Sequence, residues 1–395
     1  MDCEEINIPE EFKDICPISD NEFHEKMSLL VDEPGFEHAV RYVMPDVNYS
    51  EFVNNLLKIQ SKSEFQINVM TPFLELLASK TTGGITAAGL ENMKYGMAYT
   101  NITNHRDIVL DASFLNLVLL REKMNTTEVA IGNNLLIYDW IDVLVKLNKS
   151  FIVRRDLSLR PAFEAAVQLS NYIHFTIAEK KQSVWIAQRE GRAKDSNDLT
   201  QESVVKMLGI GGGKEFIDNI KELNIMPVSI SYEYDPNDYL KAKEFLLKRD
   251  NPDFKKSQRD DLFSMETGLL QYKGRIHFEF TPCLNAALNE IEVAEEKTEA
   301  VKTVATSIDK SIHSHYKIYP CNYIAHDIMY NTREFADKYT HEDELHFNEY
   351  VSKQLAKIDI DNLTEADNIY LKDIMIKMYA NPLSNKLHAL SAVKN

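Results

Sequence analysis

From Tyr49 to about Lys80 apolar residues recur every three or four positions: Phe52, Leu56, Leu57 and Ile59, then Val69, Phe73, Leu74, Leu76 and Leu77. That spacing predicts helices whose apolar stripe buries against the rest of the protein. Pro9, Pro17, Pro34 and Pro45 keep the elements before it short. After Thr81-Thr82-Gly83-Gly84, a turn signal, the texture changes. Short β-prone runs at Met97–Ile102, Glu128–Ile131, Ser150–Arg154, Ser183–Ala187, Met226–Tyr234 and Arg275–Thr281 alternate with helix-like runs. The helical runs are Ala112–Lys123, Tyr138–Leu147, Ala162–Lys180, Lys214–Leu223 and Tyr239–Lys248. The alternation predicts an α/β fold with a largely parallel sheet flanked by helices. Beyond about residue 286 the strands stop and Asn289–Ser311, Asn322–Tyr339 and Phe347–Ile358 read as helical. The 395 residues thus divide into a mainly helical segment at 1–80, an α/β domain at 81–285 and a helical region at 286–395.

Chemistry concentrates where strands end. Asn104-His105-Arg106-Asp107-Ile108-Val109-Leu110-Asp111 follows one strand and precedes a helix. A strand-to-helix turn in an open α/β sheet sets its polar side chains at the edge where such folds bind ligands. His105 with Asp111 is an acid–base pair in waiting: a carboxylate on one imidazole nitrogen leaves the other to take a proton near neutral pH. The plainer reading is a helix start capped by Asn104 or Asp107. Two further strands run straight into cations, one into Arg154-Arg155 and another into Arg189, Arg192 and Lys194. If the strands are parallel neighbours, these side chains gather with His105, and the planar guanidinium fork suits a phosphate.

A net charge of −17 argues against a general nucleic-acid partner and against broad adhesion to an anionic membrane. Cys3, Cys16, Cys283 and Cys321 lack any Cys-x-x-Cys spacing, which points to neither zinc nor a disulfide framework and suits a reducing, cytoplasmic setting. Asp2, Glu4 and Glu5 open the chain where a secretory signal would be basic and then apolar. No run approaches the ~18 apolar residues of a membrane span. His341 and His346 are five apart and do not share a helix face, and His313 with His315 reads as surface, so no metal site is expected. His105-Arg106-Asp107 opens like a kinase catalytic loop, but Ala112 stands where Asn is required and no Asp-Phe-Gly follows. Gly209–Lys214 fails the phosphate-loop pattern, with Leu208 in place of its first Gly.

The order of four segments resembles the glycerolipid acyltransferase superfamily, which includes glycerol-3-phosphate and 1-acylglycerol-3-phosphate acyltransferases. Asn104–Asp111 looks like its His-x4-Asp block, and Gly132 with Phe151–Arg155 like its Gly…Phe-Ile-Arg-Arg block. Trp185-Ile186-Ala187 with Gly191–Lys194 looks like the third block and Met226-Pro227-Val228 like the fourth. The resemblance covers about residues 85 to 285. It departs from the pattern in two places: five residues, not four, separate His105 from Asp111, and none separates Gly191 from Arg192. Asp111, at the helix start, is the favoured orienting carboxylate over Asp107. The resemblance implies transfer of a fatty acyl group from an acyl-CoA or acyl carrier protein thioester to glycerol 3-phosphate or its 1-acyl form. His105 would be the general base, and Arg154, Arg155, Arg192 and Lys194 would hold the acceptor phosphate. It implies no cofactor, a role in phospholipid synthesis, and a cytoplasmic enzyme with a membrane surface as a further partner. The rival from another class is a non-catalytic lipid- or acyl-carrier-binding protein that keeps the fold.

Overall fold

The structure, a computed structural model, describes residues 7–290 and 296–391. Cys3 and the acidic start at Asp2, Glu4 and Glu5 lie outside the described residues, as does a stretch of the run read as helical from Asn289.

Seven strands form one sheet: β1 (Ile85–Ala88), β2 (Thr100–Thr103), β3 (Glu128–Gly132), β4 (Ser150–Val153), β5 (Val184–Ala187), β6 (Ile225–Tyr232) and β7 (Ile276–Phe280). Their spatial order is β1-β7-β6-β2-β5-β3-β4. Every pairing is parallel except β6 with β7. The fold is therefore α/β with a mostly parallel sheet. β1 is not among the expected strands: four residues ending in two alanines, which are poor strand formers, give a weak signal, and this short edge strand is held by its register with β7.

Alternating side chains divide the sheet into two buried faces. Ile102, Phe151, Val184, Ile186 and Ile225 pack on one face with Leu169, Tyr172, Ile173 and Ile177 of the helix Leu159–Ala178 and with Val301, Val304 and Ile308 of the helix Lys297–Ser314. Tyr99, Trp185, Met226, Val228 and Ile230 pack on the other with the helix Leu110–Arg121 and with Leu74 and Leu77 of the helix Thr71–Thr81. Phe114, Leu115, Leu117 and Leu119 lose all exposure there, and burying each such side chain contributes roughly 1.5–3 kcal/mol.

The helix Leu159–Ala178 begins three residues before the expected Ala162 because Pro161 falls in its first turn, where no intrahelical partner for its missing N–H is required. The helix Gln258–Leu270 was not expected, although Ser257 and Asp260 form a reciprocal capping box at its start. The helices Pro320–Tyr330, His341–Leu355 and Glu365–Ser391 bury Ile324, Phe347, Val351 and Met375 against Tyr239, Ala242 and Leu246 of the helix Asp238–Asp250. His313 is not at the surface: it is buried, with Nε2 2.5 Å from the Asp198 carbonyl oxygen. Its helical stripe turns it inward with Ile308 and Ile312.

Candidate active site

The five parallel strands β6, β2, β5, β3 and β4 all end at one edge, so the residues after β2, β5, β3 and β4 become neighbours there. β6 continues past the end of β2, and Asn104 extends the pairing with its side chain. Its Nδ2 donates to the Ile230 carbonyl at 2.9 Å, and its Oδ1 accepts from the Ile230 N–H at 2.8 Å. His105 follows directly.

The loop from Arg106 to Val109 folds around two carboxylates with different tasks. Asp107 Oδ1 accepts from the N–H groups of Val109 at 2.9 Å and Leu110 at 2.8 Å, satisfying donors at the start of the helix Leu110–Arg121. Burial pushes the Asp107 carboxyl up, and the neighbouring Asp111 charge adds to the effect. Asp111, in the first turn, reaches back. Its Oδ2 lies 2.8 Å from His105 Nδ1 and accepts from the N–H groups of Arg106 at 2.6 Å and Asp107 at 3.1 Å. The five-residue spacing is thus absorbed by a loop closed onto Asp111 itself. With Nδ1–H donated to Asp111, Nε2 is the basic nitrogen. Among the described residues no protein group bonds it.

His105 lines a cleft of about 350 Å³, within the size range of small-molecule sites. Trp185 stands edge-on to the imidazole, with ring centroids 5.7 Å apart. One wall is apolar: Ala162, Ala165, Ala166 and Leu169 share a face of their helix, and Ile108, Val204 and Met207 add further apolar lining. The rim carries Arg154, Arg155 and Arg189 together with Asp156 and Glu190. Arg154 is ion-paired with Asp14. Arg155 Nη1 lies 3.6 Å from Glu190 Oε1, and its backbone N–H donates to Asn133 Oδ1 at 2.9 Å. Arg189 Nε is buried without a hydrogen-bond partner among the described residues. Gly132 lets the arginine approach: a Cβ there would stand 2.4 Å from Asn134 Oδ1 and 2.8 Å from Arg155 Nε.

Arg192 and Lys194 do not line this cleft. The chain turns at Gly191, at φ +67°, and carries both into the interior. Arg192 is buried, with its charge bearing on Asp107 and Lys241. Lys194 Nζ is 2.6 Å from Glu244 Oε2. Burial and the nearby Arg192 hold Lys194 down to about 8. Burial would push Glu244 up, yet Lys194, Lys248 and Lys256 hold it at about 2. The structure therefore brings together His105, Asp111, Arg154 and Arg155, adds Arg189 and Trp185, and sets Arg192 and Lys194 in a separate ion network. Arg189 stands two residues past the end of β5, and that position after a strand is the sequence signal for it. Nothing local marked Arg192 as interior.

Among the described residues no cluster of His, Cys, Asp or Glu is arranged to hold a metal ion. No described helix is long and apolar enough to cross a membrane.

No family model matches the chain, and no curated protein matches it. Among solved structures, the chain is similar to the 1-acyl-sn-glycerophosphate (LPA) acyltransferase PlsC from Thermotoga maritima. The match has a TM-score of 0.36 and 10% identity, and it covers 74% of this chain and 97% of that one. A likeness this slight is no evidence of a shared activity.

Proposed function

We propose that this protein is an acyltransferase that moves a fatty acyl group from a thioester to the hydroxyl of a phosphate-bearing acceptor, glycerol 3-phosphate or its 1-acyl form. The observation that carries the reading is the His105–Asp111 pair, 2.8 Å apart, at the head of a cleft with an apolar wall and three arginines at its rim. His105 Nε2 takes the acceptor's hydroxyl proton as its oxygen attacks the thioester carbonyl carbon. The tetrahedral intermediate then expels the thiolate, which recovers the proton as a thiol. An ester C–O bond replaces the C–S bond, and no redox partner or cofactor is needed. Asp111 keeps the imidazole in the productive tautomer and stabilises the imidazolium that forms. The apolar wall suits an acyl chain. Arg155 and Arg189 suit the phosphate, with Arg154 beside them once its ion pair to Asp14 opens. Holding both substrates against one base supplies much of the rate.

The test is product formation by mass spectrometry from acyl-CoA or acyl carrier protein thioesters with glycerol 3-phosphate, 1-acylglycerol 3-phosphate and unphosphorylated glycerol. An acylated phosphate product that disappears in His105→Ala is the expected result. Tight binding of thioester or lipid with no turnover would instead favour the non-catalytic lipid-binding reading.

A further inference from the structure

Asp111 uses only one of its oxygens. Oδ2 accepts from His105, Arg106 and Asp107, whereas Oδ1 is buried with no hydrogen-bond partner among the described residues. The Asp111 side chain has no exposure, so water cannot serve Oδ1 from the surface. A carboxylate oxygen left in that state is costly.

The last residue of β6, Tyr232, presents the complementary deficit. Its hydroxyl is also buried without a hydrogen-bond partner among the described residues. Burial pushes the phenol well up; the Asp111 charge adds to this first, then Asp107, then Asp111 again as a carboxylate within hydrogen-bonding reach of the hydroxyl, then Asp235. The phenol therefore stays protonated, as a donor beside a carboxylate that lacks one. The backbone brings the two together. Asn104 pins the end of β2 to Ile230, and Tyr232 stands two residues further along, on the same face of β6 as Ile230.

We propose that Tyr232 is a positioning residue for the His105–Asp111 pair, its hydroxyl donating to Asp111 Oδ1. Asp111 is then held at both oxygens, by His105 and two loop N–H groups on one side and by β6 on the other. The carboxylate cannot swing away when the imidazole becomes charged. One competitor for the hydroxyl is a cavity of about 20 Å³ that Tyr232 lines with Arg106, Ser231, Asp235 and Tyr316. It has room for about one water. An ionised carboxylate is the stronger acceptor.

The proposal concerns the working pair of the reading above, and it is tested first without any substrate. The Nδ1–H proton resonance of His105, assigned by its loss in His105→Gln, is recorded in the free full-length protein with labelled histidine. Tyr232→Phe removes one donor, leaves more charge on Asp111 and moves that resonance downfield, while the other histidines keep theirs. Arg106 and Asp107 on the same loop, Asp235 beyond β6, and Arg155, Arg189 and Glu190 around the cleft remain unchanged. Should Tyr232→Phe fail to fold, Tyr232→3-fluorotyrosine keeps the shape, strengthens the donor and moves the resonance upfield. In the transfer assay Tyr232→Phe lowers kcat about tenfold to hundredfold with KM nearly unchanged. A His105 resonance that stays put in a folded variant overturns the proposal and assigns the hydroxyl to the cavity. If the wild-type protein transfers no acyl group at all, the functional reading fails while the resonance still decides the role of Tyr232.

Discussion

Arg106 Nη2 lies 2.6 Å from Asp198 Oδ2, both side chains buried, so the residue next to His105 is anchored from outside the sheet. Tyr316 Oη donates to the same carboxylate oxygen at 2.7 Å, and Lys241 Nζ donates to the Arg106 carbonyl at 3.2 Å. The His105 loop is thereby tied both to the segment after β5 and to the C-terminal helical region. Removing one partner of such a pair strands a buried charge and costs about 3–5 kcal/mol. Asp198→Ala is expected to lower unfolding stability by that amount in urea titration. The double change Arg106→Leu with Asp198→Leu should recover most of the loss.

Asp107 and Asp111 are four residues apart and are separable by experiment. Asp111→Asn is expected to lower kcat strongly with little change in KM, because the orienting carboxylate is lost. Asp107→Asn is expected to lower stability while leaving most of the rate, because its carboxyl caps the helix. His105→Ala should cost about 100- to 10,000-fold in turnover. Equal kinetic losses for the two aspartate variants would refute this division of labour.

The rim arginines and the interior ones should also part company. Arg155→Ala and Arg189→Ala are each expected to reduce acceptor kcat/KM about tenfold to hundredfold, as for a lost hydrogen bond to a charged group. The thioester KM should change little. Arg192→Ala should register in thermal stability instead, since its guanidinium lies in the buried network. Initial rates against both substrates decide the point. Loss of donor rather than acceptor efficiency would move the phosphate-binding role to the thioester's own phosphates.

Asp238 makes stability depend on pH. Burial pushes it up to about 6, against the hydroxyls of Tyr379 and Tyr350 that donate to its Oδ2 at 2.7 Å each. Because the folded form holds this proton more tightly than the unfolded chain, the Asp238 contribution becomes less favourable as pH rises from about 4 to 6. The change is worth ~3 kcal/mol. Glu244, held at about 2, acts oppositely: its contribution is present above the ordinary glutamate range and is lost as pH falls towards 2. Asp238→Asn is therefore expected to remove the decline in stability between pH 4 and 6. Chemical denaturation across that range measures it, and an unchanged profile would exclude Asp238 as the source.

The fold class was legible in the chain because strand and helix patterning are local. Six of the seven strands stand out as β-prone runs, and the polar residues that follow them can be named from position alone. β1 was hidden because two alanines in a four-residue edge strand carry almost no pattern. The helix at Gln258 carries a legible start in its Ser257–Asp260 box but little apolar periodicity beyond it. What tertiary structure alone decided was adjacency. The order β2-β5-β3-β4 sets Arg189 and Arg155 near His105, and no local pattern encodes strand order. Arg189, Arg192 and Lys194 lie within six residues of one another, yet Arg189 faces the cleft while the other two go inward. The left-handed turn at Gly191 redirects the chain, and Asp107 and Glu244, distant in sequence, supply the carboxyl groups that buried cations demand. A side chain's charge is written in the sequence, but whether it meets solvent, substrate or a buried partner depends on which distant segments fold against it.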